Sequence, residues 1–290
     1  MGARRHVPRG ACMTSTETRR ALGITGWYLV LIAGAFTMMV PLFWMFSTSL
    51  KDAGVVFEFP PKWLPDPVAW GNYAEAWKAA PFGMFFVNSI LIAVMQTFGV
   101  LLTSSMAAYA FARLRFPGRN KLFVLYLGTL MIPGAVTMIP TFALMRWMGW
   151  INTYQALIIP GIFTAYGTFL LRQFFLGVPT DLEDAARIDG CNKLGVYWNI
   201  ILPLAKPAMA TLGVFTFIGS WNNFMWPLIM ANDLEMMTLP IGLAAFQNNY
   251  RTDWNLLMAA SVMVMIPSVI VFLFGQRFFV EGIKLGGIKG

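Results

Sequence analysis

Histidine is nearly missing from this 290-residue chain: His6 is the single one, and the two cysteines are Cys12 and Cys191. Neither a zinc-ligand spacing nor a disulfide framework can be built from them. Charge is the next scarcity. Lys, Arg, Asp and Glu make up 12% of the residues and hydrophobic side chains 58%, whereas a soluble domain carries about 25% charged residues. Too few charges remain to cover a water-facing surface, which excludes an ordinary soluble globule. The net charge of +8 does not indicate a nucleic-acid partner, because such a footprint is a dense local patch. Here the cations lie in short groups between apolar runs. No G-x-x-x-x-G-K-[ST] phosphate cradle occurs either; "GIKLGGIKG" near the end lacks both the spacing and the Ser or Thr. The expectation is a chain with no catalytic residue, no metal site and no nucleotide or other cofactor of its own.

What the chain does have is hydrocarbon in long runs. A bilayer core about 30 Å thick takes roughly 20 apolar residues as a helix. Six stretches qualify, near 25–47, 84–111, 121–145, 154–176, 208–231 and 256–279. This predicts an all-α, polytopic membrane protein in the lipid bilayer, its transmembrane domain spanning 25–279. Pro41, Pro133, Pro140, Pro160, Pro227 and Pro267 fall within the runs; proline removes a helix hydrogen bond and bends the rod, which a packed bundle tolerates. The run from Trp27 to Phe46 follows five arginines and has no A-x-A exit. It is also as long as a span, so it reads as a retained first helix rather than a signal peptide. Residues 1–24 read as a partly disordered tail, with Met13 as a second candidate start.

Lys and Arg concentrate on the cytosolic side of a membrane protein. With the N-terminus inside, sixteen of the 21 Lys and Arg fall inside, and Lys51, Lys62, Lys78, Arg146 and Arg251 remain outside. Both termini, including the tail 280–290, and the connection 177–207 are then cytosolic. Outside, Trp63, Trp70, Tyr73 and Trp77 crowd a segment whose aromatics suit the membrane–water boundary. An interfacial helix around 71–80 is expected there, in a region that also suits an external docking partner.

The connection "DLEDAARIDGCNKLGVYWNIILPLAKP" (181–207) is charged and carries its own helix signals. Thr180 or Asp181 is placed to cap a helix, with Glu183 and Asp184 beside its positive dipole end. Ala185 and Ala186 favour helix. Gly190 is suited to the left-handed conformation that ends one. A second helix over 193–201 should run into Leu202-Pro203. Connections usually run about 4–6 residues; this one is far longer and ordered by its own residues, which makes it a candidate handle for another protein.

The run D-A-A-x-x-x-G from Asp184 to Gly190, with I-x-L-P at Ile200, Leu202 and Pro203, resembles the EAA motif. That motif belongs to the membrane subunits of ATP-binding-cassette importers. The first Glu is replaced by Asp184, and the Ala after the glycine by Cys191. "GSWNNFMWPLIM" (219–230), "QRFFVEGIKLGGIKG" (276–290), "NSILIAV" and "AAYAFARLRFPGRN" are similar to the maltose-type, carbohydrate-uptake branch. The resemblance covers nearly the whole chain from about residue 25. It implies a six-helix permease subunit with the type I importer fold in a bacterial inner membrane. Its implied partners are a related second permease, two ATPase subunits holding ATP and Mg, and an external solute-binding protein. It further implies that Glu183, Asp184, Ala185, Ala186, Asp189, Gly190, Leu202 and Pro203 meet the ATPase. The tail, through Gly286, Gly287 and Lys289, would reach the ATPase pair by an extended, glycine-permitted path.

Polar residues inside the spans mark the candidate pathway: Asn88, Gln96, Tyr109, Tyr166, Trp221, Asn222 and Asn223. Amides bond sugar hydroxyls and aromatic rings stack on sugar faces; the same amides also bridge helices in membrane bundles. Two other classes stay open on the residues alone. An ion-coupled secondary transporter wants carboxylates or histidines within the membrane, and the mid-spans carry none. A membrane-embedded enzyme wants a reactive cluster, and the acids at 181–189 have no second carboxylate-rich loop to face.

Overall fold

A computed structural model of the chain describes residues 15–244, 246–247 and 252–286. Among these residues the chain is almost entirely helical. Helix α1 (Ser15–Ser49) is followed by a short α2 (Gly71–Ala79), then by α3 (Phe82–Arg113). Next come α4 (Arg119–Gly128), α5 (Gly134–Trp147), α6 (Tyr154–Ile158) and α7 (Ala165–Gly177). The charged connection holds α8 (Asp181–Ile188), α9 (Lys193–Val196), a π-helical turn (Tyr197–Ile201) and α10 (Leu202–Leu204). The chain closes with α11 (Lys206–Trp221), α12 (Met225–Met230), α13 (Leu239–Ala244) and α14 (Trp254–Gly286).

Among the described residues three helices are long and apolar enough to cross a membrane unaided, within α1, α3 and α14; three bent pairs bring the total to six if each is one span. Proline decides the sharpest bend. Residues before proline are pushed out of the helical region: Ile132 is extended ahead of Pro133, and Gly134–Trp147 leaves Arg119–Met131 at 98°. The third expected span, 121–145, is therefore not one straight rod. The fourth bends by 42° at a break before Ala165. The fifth, expected over 208–231, ends its main helix at Trp221 and resumes as the short α12.

Both ends of the domain also differ from expectation. Helix α1 starts at Ser15, well inside the expected 1–24 tail; "STETRRAL" has no glycine or proline to stop it. Helix α14 continues through Gly286, so residues 280–286 are helical rather than extended. A lone helical glycine such as Gly282 costs only about 1 kcal/mol. Residues 1–14, Gly287 and Lys289 lie outside the described residues.

Helix α3 is the central post: α7 and α11 pack along it, α14 packs on α11, and α1 lies against α14. At one end of α3 a core of Phe82, Phe85, Trp221, Leu239 and Leu256 joins it to α11, α13 and α14. At the same end Asn72 donates to the Ser49 and Lys51 carbonyls at 2.9 and 2.8 Å, and Asn255 donates to Asn72 at 3.2 Å. That staple fixes α2, found at Gly71–Ala79 as the sequence suggests, against α1 and α14. At the other end Tyr109, Leu171, Phe175, Val196, Tyr197 and Ile201 form a second core that roots the charged connection in α3 and α7.

Some of these contacts need glycine. A methyl group on Gly242 would stand 2.5 Å from the ring of Phe85, itself buried with no room to retreat. Gly242→Ala is therefore expected to cost about 1–3 kcal/mol through overpacking. Gly219→Ala, which meets nothing within 4 Å, should be neutral or slightly stabilising, since alanine is the better helix former. Thermal unfolding of the two purified variants checks the contrast.

Candidate functional site

The charged connection folds as a hairpin at the Tyr109 end of α3. Thr180 is the residue before α8, but its side chain makes no cap; its carbonyl instead accepts from Glu183 and Asp184 N–H at 2.9 and 3.0 Å. The stop is as the sequence suggests. Gly190 has φ +89, in the left-handed region. Gly190 N–H donates to Arg187 O at 3.0 Å and Cys191 N–H to Ala186 O at 2.9 Å, the paired bonds of a glycine-terminated helix. Asn192 then starts the second leg, its Oδ1 accepting from Gly195 N–H at 2.8 Å. The second leg turns π-helical after Val196 instead of running as one α-helix to Ile201.

Helix α8 has two faces, and they divide the residues expected to touch a partner. Glu183 and Ala186 point inward, with 3% and 6% of their surface exposed. Asp184, Ala185, Asp189 and Gly190 are exposed. In the second leg Leu202 is half-buried and Pro203 exposed. Glu183 is thus an internal anchor rather than surface. Its Oε1 lies 2.8 Å from Arg113 Nε, a buried charge contact off the hydrogen-bond axis, and its Oε2 lies 3.7 Å from Arg187. Arg113, in the last turn of α3, also donates to the carbonyls of Phe175 and Val178, where α7 ends. One guanidinium therefore ties α3, α7 and α8 together. Tyr109 donates to Lys193 O at 2.9 Å, and Ser105 and Tyr197 share a hydrogen bond at 2.7 Å. Tyr109, expected along a pathway, is a strut of the hairpin instead.

Sequence reasoning missed Arg113 as a functional residue, and the only signal was its place four residues after Tyr109 at the end of a span. It also missed the apolar rim. Ile188 is 86% exposed, and Leu182, Leu194 and Trp198 of the same hairpin are exposed too. Large exposed apolar side chains are unusual on an otherwise charged segment.

A separate cleft of about 500 Å³ lies among α3, α5, α6 and the α11–α12 junction. Gln96, Thr137, Thr141 and Asn223 are its polar groups, and Trp226 and Met138 are among the apolar ones. Gln96 Oε1 accepts from Ser220 at 2.7 Å, and Asn223 Oδ1 accepts from Trp226 N–H at 3.3 Å. Of the expected pathway residues, only Gln96 and Asn223 meet in this cleft. Asn88 is buried and fully used: it donates to Glu235 O and Met237 O at 2.8 and 2.9 Å and accepts from Tyr154 at 2.7 Å. Trp221 is 1% exposed, with Nε1 on Val264 O at 3.0 Å. Tyr166 and Asn222 are exposed away from the cleft lining, and Asn222 bonds back to Ile218 O of its own helix at 2.9 Å. Among the described residues no group of three His, Cys, Asp or Glu is placed to hold a metal ion.

The chain is 41% identical to the arabinooligosaccharides transport system permease protein AraQ of Halalkalibacterium halodurans, over 84% of this chain and 86% of that one. It is 37% identical to the sn-glycerol-3-phosphate transport system permease protein UgpE of Yersinia pestis, over 92% of this chain and 98% of that one. Its fold matches a bacterial ABC transporter involved in import of the acidic polysaccharide alginate, with a TM-score of 0.81 at 25% identity. That match covers 93% of this chain and all of the other. The family model for binding-protein-dependent transport system inner membrane components matches residues 99–285, a span that contains the hairpin and most of the cleft, and this chain belongs to that family.

Proposed function

We propose that the chain is one of two related permease subunits of an ATP-driven importer in a bacterial inner membrane. It would carry a sugar or sugar-like solute handed over by an external solute-binding protein. The hairpin is the coupling handle. Its exposed face, with Asp184, Ala185, Asp189 and Gly190 and the Ile188–Leu194–Trp198 rim, would seat in an ATPase subunit of the complex, which supplies ATP and Mg. Leu202 and Pro203 hinge the handle to α11. The end of the chain, through Gly286, Gly287 and Lys289, is a second contact with the ATPase pair. Both termini lie in the cytosol, in line with the bias of Lys and Arg.

The observation that carries this reading is the hairpin itself: charged, ordered, exposed on one face and anchored on the other by the Arg113–Glu183 pair. The 500 Å³ cleft contributes to the solute path. Its lining holds amides and hydroxyls and no Lys, Arg or His. A phosphate would want cationic donors, so a neutral polyhydroxyl solute fits better.

The test is uptake into vesicles by the complete transporter, with its own binding protein and ATPases. Neutral oligosaccharides should compete for uptake and glycerol 3-phosphate should not. Asn223→Ala should weaken apparent affinity by up to about tenfold, the worth of a hydrogen bond, with ATPase assembly unchanged. Uptake by this chain alone, without ATP or an ATPase, would favour a secondary transporter and end the proposal.

A further inference from the structure

A cavity of about 660 Å³ opens between the end of α3, the α3–α4 connection and helix α8. Two acids line it, and both are matched by cations: Glu183 by Arg113, and Asp184 by Arg187 at 3.2 Å. Three further cations line the same space, Arg115, Arg119 and Lys193. Arg119 donates to Leu114 O at 3.1 Å and to Asn120 at 3.4 Å, which leaves most of its five N–H groups unused. Arg115 and Lys193 have no carboxylate partner among the described residues. A second hollow of about 530 Å³ shares Arg115 and Arg119 and adds Lys121 and Phe116. Like charges gathered this closely repel, and an anion between them relieves the repulsion.

The surroundings say what kind of anion. Directly beyond the cations, Leu122, Val124 and Leu125 of α4 are 51%, 66% and 71% exposed. They belong to a stretch apolar enough to form half of a bent span. A cationic pocket thus leads, along α4, to exposed apolar side chains of a candidate span. A free anion uses only the first part, and an acidic segment of a soluble partner does not follow the second.

We propose that this cleft holds the headgroup of an anionic phospholipid, with its acyl chains lying along α4. Basic pockets at span ends hold such headgroups through the same chemistry. The lipid would brace the α3–α4 connection against α8, beside the Arg113 anchor. The site goes beyond the transport reading, and lipid binding is measured without reference to uptake.

The experiment is native mass spectrometry of the assembled transporter in micelles containing cardiolipin or phosphatidylcholine. Cardiolipin should be retained and phosphatidylcholine should not. In Arg115→Gln/Lys121→Gln, cardiolipin retention should fall about fivefold per charge removed. In the charge-preserving Arg115→Lys it should persist, and Leu122→Ser/Leu125→Ser should weaken it. Equal retention by parent and the Gln variant overturns the proposal. So does displacement by inorganic phosphate with no effect of the Leu variant, which marks a free-anion site. Loss of the ATPase subunits from the Gln variant, with cardiolipin retention intact, assigns the cations to a protein contact and overturns it too.

Discussion

Arg113→Ala is expected to strip the protein of much of its thermal stability and nearly all of its transport. The guanidinium and the Glu183 carboxylate are 8% and 4% exposed. Removing one member of a buried ion pair costs about 3–5 kcal/mol, because the other charge stays buried and unmatched. Here the Phe175 and Val178 carbonyls lose a donor as well. A loss of that size is a large part of the roughly 5–15 kcal/mol by which proteins are stable. Arg113→Lys should recover only part of it, since an ammonium cannot span two carbonyls and a carboxylate as a planar fork does. Exchanging the pair, Arg113→Glu with Glu183→Arg, should not rescue, because the new carboxylate would face two carbonyl oxygens. Survival of the folded complex after a heating series, read by size-exclusion chromatography, gives the ranking. A fully functional exchange variant would mean that the charge pair alone matters and that the three-way tie to α7 does not.

The second large effect should come with little loss of stability. Asp184 and Ala185 are on the exposed face of α8, and the pair that Asp184 makes with Arg187 at 3.2 Å is a solvent-exposed one, worth about 0–1 kcal/mol. Asp184→Arg with Ala185→Asp keeps two helix-compatible residues and reverses the charge pattern that a partner meets. Like charges brought together at an interface cost several kcal/mol, so solute uptake should fall by roughly two orders of magnitude. Stimulation of ATP hydrolysis by the loaded binding protein should vanish with it. The variant should unfold within a few degrees of the parent's temperature, in contrast to Arg113→Ala, since an exposed pair contributes about 0–1 kcal/mol. Parental uptake by this double variant would remove the hairpin from the coupling path.

Much of this architecture can be read directly from residue order. Hydrophobic runs of span length name the helices, because lipid forces every backbone group to be satisfied within its own segment. The stop at Gly190 is equally local: only a residue without a side chain takes φ +89 at little cost. The bends were only half legible. Six prolines lie in the runs, but whether a proline stays inside a continuous helix, as Pro41 and Pro267 do, or stands at a break, as Pro133 does, depends on what the neighbouring helices support. The tail 280–286 misled for a related reason: its glycines permit an extended path, and permission does not outweigh a helix already propagating from α14.

Side-chain roles were the least legible. Asn88, Gln96, Trp221 and Asn223 look alike as polar points in apolar spans. Asn88 is consumed by two carbonyls and Tyr154, and Trp221 by Val264, while Gln96 and Asn223 line a cleft. Glu183 and Asp184 are neighbours in sequence, yet one is core and the other surface. Composition and periodicity are sums over nearby residues, so by itself the chain determines that it spans a membrane, where it coils and where the hairpin turns. Which charge faces Arg113 and which faces a partner depends on groups up to 70 positions apart, and only packing brings those together.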